Sequence, residues 1–90
     1  MQHVPKIRTI VYDERFEREL EYIEHHVHRA EEFMRGAETI LSRDPEVGCQ
    51  LEDSKVWFIC GHRVDAALYY TFDENHVYFL SIEKTKPPEL

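Results

Sequence analysis

The first half of the chain carries apolar residues at alternating spacings of four and three positions. Charged residues and histidines fill the positions between them. This period is typical of an α-helix with one apolar face, and Asp13 stands directly before it, where an N-cap residue is expected. The pattern predicts helix as far as Arg43, because Pro45 cannot continue one. The apolar stripe consists of Phe16, Leu20, Ile23, Val27, Ala30, Met34, Ala37 and Leu41.

The stripe is compatible with two structures. A single helix would be roughly 40 Å long, and a chain of 90 residues could hardly cover its apolar face without a second chain. A helical hairpin that breaks near residues 25–29, where histidine and valine lower helix propensity, would bury the stripe within one molecule. We expect the hairpin. An unbroken helix would instead make the stripe a seam for a second copy or another partner.

Runs of β-branched and aromatic residues predict four strands, three of them after the helical region. Short turns at Gly61-His62 and at residues 73–75 would join the last three strands as hairpins. The predicted fold is of the α+β class, with the order β-α-α-β-β-β and a helical hairpin packed on an antiparallel sheet. The predicted strands are residues 6–12, 55–60, 64–72 and 76–82; residues 46–54 are predicted as a loop, and residues 84–90 as the loose tail of a single domain spanning residues 1–90.

Composition and charge restrict the classes of function. Hydrophobic residues make up 42% of the chain, which is enough for a folded core. A formal net charge of −7 provides no general attraction to phosphate, so we expect weak intrinsic affinity for nucleic acid. No apolar run approaches the length of a membrane span, the first residues lack the core of a signal peptide, and two cysteines are too few for a disulfide framework. These features indicate a cytoplasmic protein, and nothing in the sequence implies a cofactor.

Two short motifs stand at the end of the helical region and at the end of a predicted strand. They are Leu41-x-x-x-Pro45-x-x-Gly48-x-x-Leu51 and Leu68-Tyr69-Tyr70-x-x-Asp73. With the elements around them, these motifs resemble the RelE/ParE toxin superfamily, and the resemblance covers roughly residues 6–84. Its members share a strand leading into an Asp-capped helix, a helical hairpin that ends in a Pro-x-x-Gly turn, and a closing three-stranded meander.

The resemblance implies the toxin of a bacterial type II toxin–antitoxin system. Such a toxin is held silent by a cognate antitoxin packed across its surface. RelE-like members cut mRNA in the ribosomal A site, and ParE-like members poison DNA gyrase, so the ribosome and gyrase are the implied targets. A homodimer is compatible with the resemblance. The alternative is a homologue that kept the fold as a binding or regulatory protein and lost toxicity.

The resemblance also implies where RNA-cutting residues would lie. Attack by a 2′-hydroxyl requires a proton acceptor and cations that stabilise the developing charge, which RNA-cutting members supply from basic residues on their second and third strands. Here Trp57 and Ile59 occupy positions where basic residues would be wanted. The candidate catalytic residues form a basic rim: Arg63 to bind phosphate, His62 to exchange a proton, and Lys55 and Lys84, with Lys86, to supply positive charge. The alternative is that these residues are solvated strand ends.

Aromatic residues are numerous for a sheet that helices cover on one face only. Some of them should form an exposed patch suited to a partner peptide. The candidate partner-binding residues are Trp57, Tyr69, Tyr70 and Tyr78.

Two further clusters contain side chains that can carry chemistry. His25 and His28 could share a helical face at a feasible metal spacing, with His26 between them, but no third or fourth ligand completes a site. Cys60 and His62 could act as nucleophile and base, but no third group orients them. A thiol of the core beside a turn is the simpler interpretation of Cys60. We therefore predict no metal site.

Overall fold

The apolar stripe forms a helical hairpin. In the computed structural model, which describes residues 6–85, helix α1 spans Glu14–His26 and helix α2 spans Ala30–Arg43. Between them Val27 is extended and Arg29 adopts a left-handed conformation with φ of 66°, so the chain reverses. Seven of the eight stripe residues are buried, and Leu20 packs half-buried against them. The predicted hairpin is confirmed.

The ends of the helices follow the predicted signals. The Asp13 side chain accepts a hydrogen bond of 2.9 Å from the Arg15 backbone N–H, which is the expected N-cap interaction. At the other end of the hairpin, the helix stops before Pro45, which begins a short 3-10 turn over Pro45–Val47. Within residues 6–85, no helix is long and apolar enough to cross a membrane.

The sheet has five strands in the order β1-β5-β4-β3-β2. The last three strands form the predicted antiparallel meander, and the loop predicted over residues 46–54 contains a fifth strand that pairs with β3. The strands are β1 Thr9–Tyr12, β2 Cys49–Gln50, β3 Trp57–Cys60, β4 Ala66–Phe72 and β5 His76–Lys84.

The prediction of an antiparallel sheet was wrong for one pair of strands. Strand β1 lies parallel to β5, with Thr9 opposite His76 and Tyr12 opposite Phe79. The helical hairpin returns the chain to the end of the sheet where β1 starts, since the Arg8 N–H donates to the Ser42 carbonyl. After the three antiparallel strands that follow, β5 runs in the same direction as β1. The sheet is therefore mostly antiparallel, with one parallel edge strand.

The predicted loose tail begins later than expected. Lys84 belongs to β5 and lies opposite Ala66, and the Thr85 N–H donates a hydrogen bond of 3.0 Å to the Asp65 carbonyl. Residues 86–90, including Lys86 of the predicted basic rim, lie outside the described residues.

An aromatic cluster joins the first strand to the helices and the sheet. The rings of Tyr12, Phe16 and Phe79 lie with their centroids 5.5 Å apart in each pair. Phe16 and Phe79 are fully buried. This cluster covers the parallel junction of β1 and β5, where α1 crosses the sheet.

A buried hydrogen bond attaches the end of the hairpin to the centre of the sheet. The fully buried Tyr70 donates its hydroxyl to the Pro45 carbonyl oxygen at 2.5 Å. Burial raises the pKa of Tyr70 to about 12, so the hydroxyl remains a donor at any physiological pH. Gly48 provides the space, because a Cβ there would collide with the Tyr70 hydroxyl and lie 2.6 Å from the Phe58 carbonyl oxygen. The Pro-x-x-Gly motif therefore forms a socket for this tyrosine.

The turn between β4 and β5 is organised by one carboxylate. Asp73 Oδ1 accepts hydrogen bonds of 2.8 Å from the backbone N–H groups of Asn75 and His76, and Oδ2 accepts one of 3.0 Å from the Tyr78 hydroxyl. These donors, the Asn75 N–H first, lower the pKa of Asp73 from 3.8 to about 2. The ionised carboxylate is therefore the form that stabilises the turn.

We predict that Tyr70→Phe lowers the free energy of unfolding by about 1–2 kcal/mol, because the buried hydrogen bond from Tyr70 to the Pro45 carbonyl oxygen is lost. Tyr69→Phe is the matched control: it removes an exposed tyrosine hydroxyl one residue away and should cost less than about 0.5 kcal/mol. Urea unfolding of both variants measures the difference. Equal costs would contradict a special role for the Tyr70 socket.

We predict that Asp73→Asn changes how stability depends on pH. A carboxyl whose pKa is lowered by folding stabilises the protein above its unfolded pKa, and this contribution is lost as the pH falls through the folded value. The wild-type chain should therefore lose more stability than Asp73→Asn as the pH falls from 3.8 to about 2. Urea midpoints across this range test the prediction, and parallel pH curves for the two proteins would refute it.

Candidate functional site

The two faces of the sheet differ in what covers them. The helices pack on one face against Leu68, Val77 and Ile82, among others. Because side chains alternate along a strand, the neighbouring residues point to the opposite face, which we call the open face. It carries the rings of Phe58, Tyr69 and Tyr78, all half-buried. Phe58 and Tyr69 are cross-strand partners with ring centroids 6.1 Å apart.

Two of the four predicted partner-binding residues lie on the covered face instead. Trp57 and Tyr70 are cross-strand partners, so their side chains share one side of the sheet. Tyr70 is fully buried, and Trp57 packs against the core with its ring 5.6 Å from that of Phe72. The expectation that these rings are exposed for a partner was wrong for Tyr70, which is fully buried, whereas Trp57 is half-buried on the same face. Tyr69 and Tyr78 do lie on the open face.

The hydroxyls of the two open-face tyrosines are held by carboxylates. Tyr69 donates to Glu83 Oε1 at 2.7 Å, and Tyr78 donates to Asp73 Oδ2 at 3.0 Å. The hydrogen bond to Glu83 raises the pKa of Tyr69, and the hydrogen bond to Asp73 raises the pKa of Tyr78. Both phenols therefore remain protonated at neutral pH and are poor candidates for a general base.

The predicted basic rim is divided between the two ends of the sheet. His62 and Arg63 lie in the turn between β3 and β4, with Arg63 at φ of 61°, and Lys84 lies at the same end because it pairs with Ala66. Lys55 precedes β3 at the other end, where its carbonyl accepts a hydrogen bond of 2.7 Å from Thr71. Six residues of extended chain separate Lys55 from the turn, a distance of roughly 20 Å. Lys55 therefore cannot join the other three in one catalytic centre.

The remaining three basic residues do not converge either. Lys84 lines a groove beside α1 together with Arg18 and Tyr22, whereas His62 lines a different groove beside α2. Both grooves lie on the helical side of the sheet, away from the open-face aromatic rings. Arg63 is exposed in its turn. In the described part of the chain, the predicted residues thus form no cluster of a base and several cations around one reacting atom.

The predicted histidine cluster lies at the hairpin turn, where His25, His26 and His28 line one groove. Among residues 6–85, no group of three or more His, Cys, Asp or Glu side chains could hold a metal ion. His26 stacks on Tyr22 with ring centroids 4.0 Å apart, and its Nδ1 lies 2.8 Å from the Tyr22 carbonyl oxygen. Cys60 is exposed rather than a thiol of the core, which corrects that interpretation.

Sequence reasoning missed Phe58 as a residue of the open face. The strand WFIC contains three bulky apolar residues in succession, so its alternation does not show which side faces the helices. Pairing identifies the side, because Phe58 lies opposite Tyr69 and Trp57 lies opposite the buried Tyr70. The open face is thus an aromatic surface with few groups suited to proton transfer.

The fold resembles that of chains in two solved structures. The toxin–antitoxin complex RelBE2 from Mycobacterium tuberculosis matches with a TM-score of 0.72 and 18% sequence identity, covering 92% of this chain and 97% of the matched chain. The YoeB dimer from Staphylococcus aureus matches with a TM-score of 0.67 and 13% identity, covering 88% of this chain and 98% of the other. No protein-family model matches the sequence, and no curated protein matches it.

At these identities the similarity concerns the fold, and it extends over nearly the whole of all three chains. The shared architecture includes both the helical hairpin and the mostly antiparallel sheet. The chain therefore has the RelE-like toxin fold that its Pro-x-x-Gly turn and closing meander suggested.

Proposed function

We propose that this chain is the toxin component of a type II toxin–antitoxin system and acts in the cytoplasm by binding a macromolecular target. The observation that supports this proposal is the fold similarity to RelBE2 over 92% of the chain. DNA gyrase is the first target to test, and the ribosome is the second. A cognate antitoxin would neutralise the protein.

The position of the basic residues favours binding over RNA cleavage. Cleavage requires a proton acceptor and cations around one phosphate, whereas Lys55 lies at the opposite end of the sheet from Arg63. Tyr69 and Tyr78 donate their hydroxyls to carboxylates and are not available as bases. The net charge of −7 also opposes general attraction to RNA. A gyrase-directed toxin does not need such a catalytic cluster.

The open face is the surface that best suits an antitoxin segment. Phe58, Tyr69 and Tyr78 present apolar ring surface that the helices do not cover. Because the Tyr69 and Tyr78 hydroxyls already have partners within the chain, covering these rings leaves no phenol without a hydrogen bond. An extended or helical antitoxin segment could therefore bury the rings without leaving a tyrosine hydroxyl unpaired.

A non-toxic binding homologue is the second candidate, and the same dispersal of basic residues favours it. Such a protein would use the open face for a partner without harming the cell. The two proposals predict the same partner surface and differ in whether free protein arrests growth.

We predict that induced expression of the chain arrests growth and that co-expression of the neighbouring reading frame relieves the arrest. Purified protein should inhibit DNA supercoiling by gyrase and should leave ribosome-bound mRNA uncut. Arg63→Ala should arrest growth as strongly as the wild type, because no catalytic cluster surrounds Arg63 among residues 6–85. Normal growth with soluble protein would favour the non-toxic homologue. Cleavage of mRNA that Arg63→Ala abolishes would restore the catalytic role of the basic rim.

We predict that Phe58→Ala weakens neutralisation while toxicity remains. The substitution removes a half-buried ring from the open face and should reduce binding of the antitoxin at least tenfold, or about 1.4 kcal/mol. Tyr22→Ala is the matched control, because it removes an exposed ring from α1, on the covered side of the sheet. The measurement is growth relief at graded antitoxin expression. Equal relief for both variants would place the antitoxin elsewhere.

A further inference from the structure

Helix α2 carries a second apolar strip beside its buried face, and of its residues only Phe33 packs against the core. Phe33, Gly36 and Ile40 follow one another at spacings of three and four residues, so they share one side of the helix. Ile40 is 41% exposed, and Phe33 is half-buried. The strip borders a groove of about 300 Å³ between α2 and β3, whose floor includes Ala37 and Ile59. This groove is separate from the open face.

The glycine in this strip is not required by the packing of its own chain. A Cβ at Gly36 would meet no atom within 4 Å, and its backbone does not adopt a positive φ. A glycine in the middle of a helix costs about 1 kcal/mol relative to alanine. The space beside Gly36 is therefore open to an atom group from outside the chain.

We propose that a second copy of this chain fills the groove and forms a two-fold dimer with the two α2 helices antiparallel. Ile40 protrudes one helical turn from the gap at Gly36. A two-fold axis between these positions places Ile40 of each copy beside Gly36 of the other, so one arrangement fills both gaps. Such self-complementarity is the requirement of an isologous interface, and an unrelated partner does not need it.

The charges beside the strip fit the same arrangement. Among the residues lining the groove, Glu32 is the single carboxylate, so the strip avoids the repulsion expected from a net charge of −7. Arg43 lies three residues beyond Ile40, is exposed, and has no ion-pair partner among residues 6–85. Glu32 pairs with Arg29 of its own chain at 2.8 Å, and in an antiparallel pair of helices Arg43 of each copy would approach this existing ion pair of the other. The interface thus pairs opposite charges at both ends.

The interface should be of modest strength. Helix α2 has 14 residues and is roughly 21 Å long. One helix pair with the adjoining edge of β3 covers less than the roughly 800 Å² per partner of a standard stable interface. We therefore expect a dissociation constant in the micromolar range, about 1–100 µM.

Sedimentation velocity of the purified full chain across that range of concentrations tests the proposal. Gly36→Gln fills the gap and raises helix propensity, so it should preserve the fold while raising the dissociation constant at least tenfold. Ile40→Gln removes the protruding group and should have the same effect. Glu31→Gln is the matched control: it lies on the flank of α2 that faces α1, and it should leave dimerisation unchanged.

Charge reversal provides an independent measurement. Arg43→Glu should weaken the dimer, and the double variant with Glu32→Arg should restore it, because the pair between copies is re-formed with its signs exchanged. A wild-type chain that stays monomeric at every concentration would overturn the proposal, even if the groove then binds a different protein. A dimer that Gly36→Gln and Ile40→Gln leave intact would overturn it as well. Neither outcome depends on toxicity, so the proposed function is tested separately.

Discussion

The hydrogen bond from Tyr70 to the Pro45 carbonyl is the constraint on which the layout of the molecule depends. It attaches the end of the helical hairpin to the central strand β4. Once Pro45 and Gly48 are held there, the chain continues directly into β2 beside β3, and the sheet gains its short edge strand. The same bond commits Tyr70 to the covered face, and alternation then places Tyr69 on the open face.

Local patterns predicted the helical segments but left the hairpin as one of two possibilities, and they did not predict the pairing of β1. The stripe from Phe16 to Leu41 has one period throughout, which fits either a single helix or a hairpin. The hairpin buries seven of its eight residues within one molecule. Strand β1 instead pairs with β5, more than sixty residues away, in parallel. The sequence of β1 does not indicate that it pairs in parallel with β5. This pairing results from where the hairpin returns the chain and from the packing of Tyr12 on Phe16 and Phe79.

The candidate site was harder to predict, because it depends both on the direction of each strand and on the face of the sheet that each side chain occupies. In an antiparallel meander the strands alternate in direction, so Lys55 before β3 and His62 after it must lie at opposite ends. That part could be derived from the sequence. The side of the sheet on which Lys84 lies could not be derived from the sequence. Lys84 lies opposite Ala66, and the pairing of β4 with β5 shifts register between Tyr69 and Tyr70, so simple alternation does not give its side.

The two proposed surfaces do not compete for the same residues. An antitoxin on the open face would contact Phe58 and Tyr69, whereas a second copy on the α2 strip would contact Gly36 and Ile40 on the opposite side of the sheet. The sheet separates the two surfaces, and the Tyr70 bond holds the helical layer in place on one side of it. Dimerisation could therefore persist in the neutralised complex. A dimer would then present two antitoxin surfaces at once, which raises the effective concentration of any paired antitoxin.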